Sequence, residues 1–510
     1  CDTTRWPWTA VLGAPLAVAA QGNPASLPTV QVQALRLDLG ARTVPAAVSA
    51  LTVDPAAAGL PGIHLAEALI GVPGVLVRER QNYAQDEQLS IRGFGTRSSF
   101  GVRSARLYVD GLPATLPDGQ GQTAAFDLDG GGRIEVLRGP ITALYGNAAS
   151  GVVQFYSAPG TAPAENLVDV HAGSGDTFRY LARSRGMLGA ADYNVSASQL
   201  LAGGYRRHSR ANRRAAHAVF HVPLDATRTL ALVLDRFDQP RAQDPMGLTA
   251  AQLRADPRQA APAAVQYDTR KRIRQTQLGA IYEQGVGRAH DWRTLLYAGH
   301  RDIEQFLSIP RASQQNPLQS GGVVAPDTRY GGLDSRVSGR GELAGGATLW
   351  TVGGGGDWQR QHRLGFENYA DGRLGVRGRL RRDEHDDIDS LDAYAQGFWQ
   401  FLPRWDLLVG VRHDRVRFDE RDHYVRPGNP DDSGRVRYTG TTPMLALGYR
   451  PTAALRLYAS VGRGFETPTY NELGYRSDGK PGLALDLRPV RTLQRELGLK
   501  WQPLPALELE

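Results

Sequence analysis

The chain has 510 residues, more than one ordinary core accommodates, with 41% hydrophobic residues and a net charge of +7 dispersed along its length. After residue 30 no stretch offers the roughly 20 apolar residues of a membrane helix, which excludes a helical membrane protein. A membrane β-barrel remains open, because its polar lumen dilutes the average hydropathy. The single cysteine, Cys1, excludes an internal disulfide and a cysteine-built zinc site, and the scattered basic residues form no nucleic-acid patch.

At the start, the apolar segment from Trp8 to Ala20 ends in small residues and reads as a signal-peptide remnant over residues 1–20. Its charged beginning is missing, so the sequence reads as a fragment there, and its stop at Leu-Glu-Leu-Glu reads as a truncation at the other end. Residues 21–60, rich in Ala and Pro with little periodicity, read as flexible, the periplasmic leader being 21–42. Within it Val30 and Val32 alternate with polar residues, as in a short strand able to join another protein's sheet edge.

Residues 43–158 read as a small mixed domain. Ile63, Leu65, Ala66, Leu69 and Ile70 give a helical pattern that Gly71 and Pro73 stop. Strands follow at 75–77, 107–109, 134–137 and 152–155, with a tight turn at Asp110-Gly111 and a short helix after Pro140. Three polar loops lie between them, at 78–88, 96–103 and 114–122.

From residue 159 the pattern changes to amphipathic segments of about ten residues, the signature of a membrane barrel. Leu391, Ala393, Ala395, Trp399 and Phe401 share a face opposite Asp392, Gln396 and Gln400. Short links (189–191, 223–228, 344–347, 402–404, 451–454) alternate with long polar ones (203–213, 238–272, 303–329, 361–389, 419–436, 464–489). One trimmed rim and one elaborated rim is what an outer-membrane barrel presents to periplasm and exterior. About 14 strands are countable. Trp350, Trp358, Trp399, Trp405, Trp501, Tyr449 and Tyr458 fall near segment ends, as in interfacial girdles.

Other clusters carry less. On a strand His217 and His221 lie ~13 Å apart, too far for one metal. The charge run 381–387 sits within the long link 361–389 and reads as solvated loop. Gly353 to Gly356 lacks the strand–loop–helix setting of a phosphate loop. The sequence shows no catalytic constellation, no metal-ligand set and no cofactor motif.

The ordered motifs Ile-Arg-Gly-Phe-Gly (91–95), Tyr-Val-Asp-Gly (108–111), Glu-Val-Leu-Arg-Gly-Pro (135–140), Leu-Tyr-Gly (144–146) and Gly-Val-Val (151–153) together resemble the TonB-dependent outer-membrane receptors. Two later stretches, 462–473 and 496–500, resemble late-barrel motifs of that family. The resemblance covers nearly the whole chain. It implies a transmembrane antiparallel β-barrel, about 22 strands when complete, with an N-terminal α+β plug domain (43–158) in the lumen of an incomplete barrel (159–510). It places a TonB box at Pro28, Thr29, Val30, Gln31 and Val32, which would pair with periplasmic TonB and its inner-membrane energising complex. It implies that Arg92 and Arg138 reach wall carboxylates, one being Glu496 and another lying past residue 510. Cargo would meet the plug's loops at Arg80, Tyr83, Arg97, Ser98, Ser99, Asp118, Gly119 and Gln120. The implied activity is active import of a ferric siderophore or similar iron complex by a monomer in the Gram-negative outer membrane. Cobalamin, a copper or nickel chelate and a saccharide are alternative cargoes. A passive porin would leave the plug motifs unexplained, and a soluble β-rich glycan-binding protein would leave the loop asymmetry unexplained.

Overall fold

The computed structural model describes residues 31–510 apart from 55, 57, 97, 99, 100, 475 and 478–481. Fifteen antiparallel strands run in chain order from Glu165–Gly173 to Leu507–Leu509 and form one up-and-down sheet that curls into a barrel wall. Alternation is clear in the middle of the wall. In the strand Leu380–Leu402, Leu391 is exposed on the outer face, while Ile388, Tyr394 and Gln396 are buried on the inner one.

The short links fall where the sequence places them, but the long ones shrink. Strands such as Val323–Leu343, Gly346–Phe366 and Leu380–Leu402 run 21 to 23 residues. A tilted strand needs only about 9–11 to cross the bilayer. Their upper ends therefore stand in water on the elaborated side. There the outer face is polar too, the apolar alternation disappears, and strand looks like loop. The charge run 381–387 is such a case: it belongs to a strand, and the solvated-loop reading is corrected. Glu384 and Asp386 are buried toward the lumen, His385 faces out, and Arg381, beside a register irregularity, turns in to pair with Glu367.

Of the aromatics expected in a girdle, Trp405 lies at the trimmed rim and stacks on its cross-strand partner Tyr449 at 4.4 Å. Tyr458 does not belong to it. Its ring is buried and its hydroxyl donates to Glu496 at 2.6 Å.

Inside the wall lies a five-stranded sheet ordered Ala47–Val53, Gly132–Arg138, Gly151–Ser157, Ala105–Val109, Leu112–Pro113. Asp110 and Gly111 both have positive φ, 46° and 81°, as the tight turn between the last two strands requires. The helix Leu65–Leu69 is short, and carboxylates fix its start. Glu67 accepts from the backbone N–H of Gly62, Ile63 and His64, and Glu87 from those of Leu65 and Ala66. These are the donors a helix start leaves without intrahelical partners.

The leader is not free over its whole length. Gln31–Val32 pairs antiparallel with Leu39–Gly40, and Leu35, Leu37 and Leu39 are buried in a core shared with the plug and the wall. Gln396, Thr351 and Lys500 of the wall donate to the carbonyls of Leu35, Arg36 and Ala41, each at 2.7 Å. The Arg36 guanidinium lies between the Tyr145 ring (4.8 Å) and the Tyr394 ring (4.4 Å). The flexible reading is thus corrected for residues 33–42, and again at Ala47–Val53, which pairs with Gly132–Arg138 in the plug sheet. Of the proposed TonB box, Pro28, Thr29 and Val30 lie outside the described residues.

Candidate functional site: the plug–wall seam and two chambers

Of the two arginines expected to fix the plug to the wall, one does. Arg92 donates to Glu496 at 2.5 Å, with the Tyr458 hydroxyl on the other oxygen of that carboxylate. Gly139 is glycine for the same reason: a Cβ there would run into the Glu496 carboxylate. Arg138 instead stays within the plug, donating to the Pro73 carbonyl and to Ser49 Oγ. The second wall carboxylate is expected past residue 510, and within this chain Arg138 bonds the plug.

The deeper fixing point is Arg103. Its side chain is 3% exposed and bonds Glu466, 2% exposed, at 3.0 Å, and Glu472 at 3.2 Å. It also donates to the carbonyls of Gly119 and Thr467. Ser104 Oγ donates to Glu466 at 2.6 Å, and Asn147 and Thr467 exchange two hydrogen bonds of 2.9 Å. All the wall partners come from the stretch 462–473, which gives that late-barrel motif a mechanical role: it receives the plug. Arg103 sits in a polar loop, where sequence reading weighs exposure rather than burial.

A second buried contact joins Asp110, His217 and Asp235. His217 lies 2.8 Å from Asp110 and 2.6 Å from Asp235, and Ser157 Oγ is 3.2 Å from its Nε2. The set superficially resembles a nucleophile triad, but Ser157 gives both its N–H and its hydroxyl to Asp110. Burial would push the Asp110 carboxyl up, yet the His217 hydrogen bond and charge hold it below its ordinary value. The group fastens plug to wall.

Above the plug is a cavity of about 160 Å³ lined by Arg80 and Gln120 from the plug and by Lys271, Arg301 and Arg363 from the wall. Among the described residues its one carboxylate is Asp86, 3.4 Å from Lys271. Burial raises the Asp86 carboxyl, but Lys271 and Arg301 outweigh burial and hold it ionised. The structure thus brings together Arg80 and Gln120 of the eight loop residues singled out. Asp118 is buried, caps Gln120 N–H at 2.9 Å and is pushed up by burial. Gly119 sits beneath, with φ of +84° and no room for a Cβ beside Asn147 and Arg103. Ser98 donates to Gly101 O within its own loop. Tyr83 stacks on His64 at 5.7 Å and packs toward the wall near Arg213, away from this cavity. Arg97 and Ser99 lie outside the described residues. Sequence reading missed Lys271, Arg301 and Arg363; Lys271 and Arg363 fall in stretches read as long links, where no strand parity could be assigned.

A second, outer chamber of about 600 Å³ opens among the long links and shares Arg363 and Asn471 with the inner one. Its wall includes Glu384, Asp386, Glu420, Asp422 and Asp432.

The family model described as TonB dependent receptor-like, beta-barrel matches residues 204–509, and that of the TonB-dependent Receptor Plug Domain matches residues 40–153. The chain belongs to the TonB-dependent receptors. This receptor is 24% identical to the vitamin B12 transporter BtuB of Photobacterium profundum, across 96% of its own length and 70% of that protein's. Among solved structures, it resembles the ferric citrate transporter FecA in its unliganded form with a TM-score of 0.72 at 18% identity, over 90% of this chain and 68% of that one. It also resembles the ferric yersiniabactin uptake receptor FyuA from Yersinia pestis, with a TM-score of 0.68 at 16% identity, over 91% and 70%. The family's members are transport receptors of the outer membrane, not enzymes.

Proposed function

We propose that this receptor imports an anionic metal chelate of the ferric-siderophore class across the Gram-negative outer membrane as a monomer, energised through TonB. The observation that carries this reading is the inner cavity, where Arg80, Lys271, Arg301 and Arg363 face a single carboxylate, Asp86. Cations buried against low-dielectric walls attract a bulky anion without touching its metal. Residues 28–32 serve as the pulling handle. In the closed state Gln31–Val32 pairs with Leu39–Gly40, so strand addition by TonB would draw on the segment bound to Gln396, Thr351 and Lys500. A cobalamin cargo is the second reading, favoured by the match to the vitamin B12 transporter over 96% of the chain.

The test is uptake by cells carrying the receptor with residues 28–32 deleted. Uptake of radiolabelled iron chelate should fall to background while chelate binding to those cells persists. Uptake that survives the deletion would refute the TonB-driven reading. Growth on a panel of iron chelates and on cobalamin separates the two cargoes.

A further inference from the structure

The outer chamber carries a charge arrangement that neither a loop nor a plain cargo path explains. Asp386 and Glu420 are directly opposite each other on neighbouring strands, and Glu384 is opposite Asp422. Like charges directly opposite destabilise a sheet unless something compensates them. One oxygen each of Glu384, Asp386 and Glu420 lies within 4.8 Å of the others. Asp386 is 1% exposed and Glu420 4% exposed, both line the chamber, and Asp386 Oδ1 and Glu420 Oε2 are buried without a hydrogen-bond partner.

The nearby donors do not cover them. Gln361 donates to the other Asp386 oxygen, Oδ2, at 2.8 Å. Arg382 pairs with Glu384 at 2.7 Å. Arg381 is committed to Glu367 and to the carbonyls of Gln314 and Asn316. Arg363 faces Asn471. Orphaned carboxylate oxygens in a walled chamber are costly, and a positive charge among them removes that cost.

We propose that Glu384, Asp386 and Glu420 form a cation site in the mouth of this receptor. All three donors are carboxylate oxygens, with no imidazole or thiolate among them, which selects a hard ion or an ammonium group over a soft transition metal. Oxygens this close can share one ion of calcium's size, at about 2.3–2.6 Å each, or one ammonium. The positive charge has two possible sources: a free divalent ion, or an amino group on the cargo itself. In either case it neutralises an acidic threshold that an anionic chelate must cross to reach Arg301 and Lys271.

The experiment is calorimetric titration of the chelator-stripped receptor in detergent, with calcium chloride and separately with 1,5-diaminopentane. One titrant should bind saturably at one site, and the double substitution Asp386→Asn/Glu420→Gln should weaken it at least tenfold. Calcium binding identifies a free ion; diamine binding without calcium binding identifies an ammonium group of the cargo. Binding of neither titrant, or binding unchanged in the double variant, overturns the proposal. Heat-modifiable gel migration checks that the barrel has formed, and Glu420→Gln alone repeats the test with a smaller change. The titration involves neither TonB nor chelate, so its failure leaves the import reading untouched, and the reverse also holds.

Discussion

Two contacts fasten the plug to the wall through an arginine and a glutamate, and they differ in burial. In the first, the Arg92 side chain is 37% exposed while its partner Glu496 is 8% exposed, so water reaches the pair from the arginine side only. Arg103 and Glu466 are 3% and 2% exposed; Arg103 also reaches Glu472 and the Thr467 carbonyl, and Ser104 donates to Glu466. A pair that water reaches is screened and contributes less, whereas a buried pair that loses one partner strands the other charge in low dielectric. The family-like motif at Arg92 is therefore the minor fastening, and Arg103 is the major one.

The largest expected effect follows from that contrast. Arg103→Ala leaves Glu466 without its cation and should destabilise the plug–wall seam by about 3–5 kcal/mol. Hydrogen exchange of the plug sheet would report it, and protection as in the unsubstituted receptor would remove Arg103 from its place as the main fastening.

A smaller effect comes from pH. His64 caps the plug's short helix start and stacks on Tyr83. Burial and the nearby Arg213 push its imidazole down to about 4, despite Glu79 and Glu87 within 4 Å. Its folded value lies below the ordinary 6.5, so the plug is fully stabilised above pH 6.5 and loses stability as pH falls from there to about 4. The loss is at most roughly 3 kcal/mol. In a His64→Gln variant this part of the pH dependence should vanish. An unchanged profile between pH 6.5 and 4 would assign the titration to another group.

The smallest expected effect is at Arg92. Arg92→Ala should cost less than Arg103→Ala by the same exchange measurement, because the Arg92 head is partly in water and Tyr458 still donates to the Glu496 carboxylate. A loss as large as that of Arg103→Ala would erase the distinction between the two contacts.

Much of the fold is legible in the sequence where one signal suffices. Alternation marks the wall strands inside the bilayer, and turn residues mark the trimmed rim. The segment from Leu35 to Leu39 also alternates, and its burial is readable there; the surrounding Ala and Pro obscure it. Above the membrane the signal fails for a physical reason, since water on both faces removes the contrast that alternation reports. The charge run 381–387 therefore reads as a loop although it is a strand.

The sequence by itself determined the barrel and the plug within it, and pointed to Glu496 as a wall carboxylate for one of two plug arginines, because periodicity and ordered motifs are local or recur in a family; the structure shows that this arginine is Arg92. Only the tertiary structure decided that Arg138 stays in the plug, that Arg103 meets Glu466, and that Asp386 stands opposite Glu420. Those depend on register between strands far apart in the chain. A strand's pattern fixes which face a residue takes, but not which neighbour it meets there.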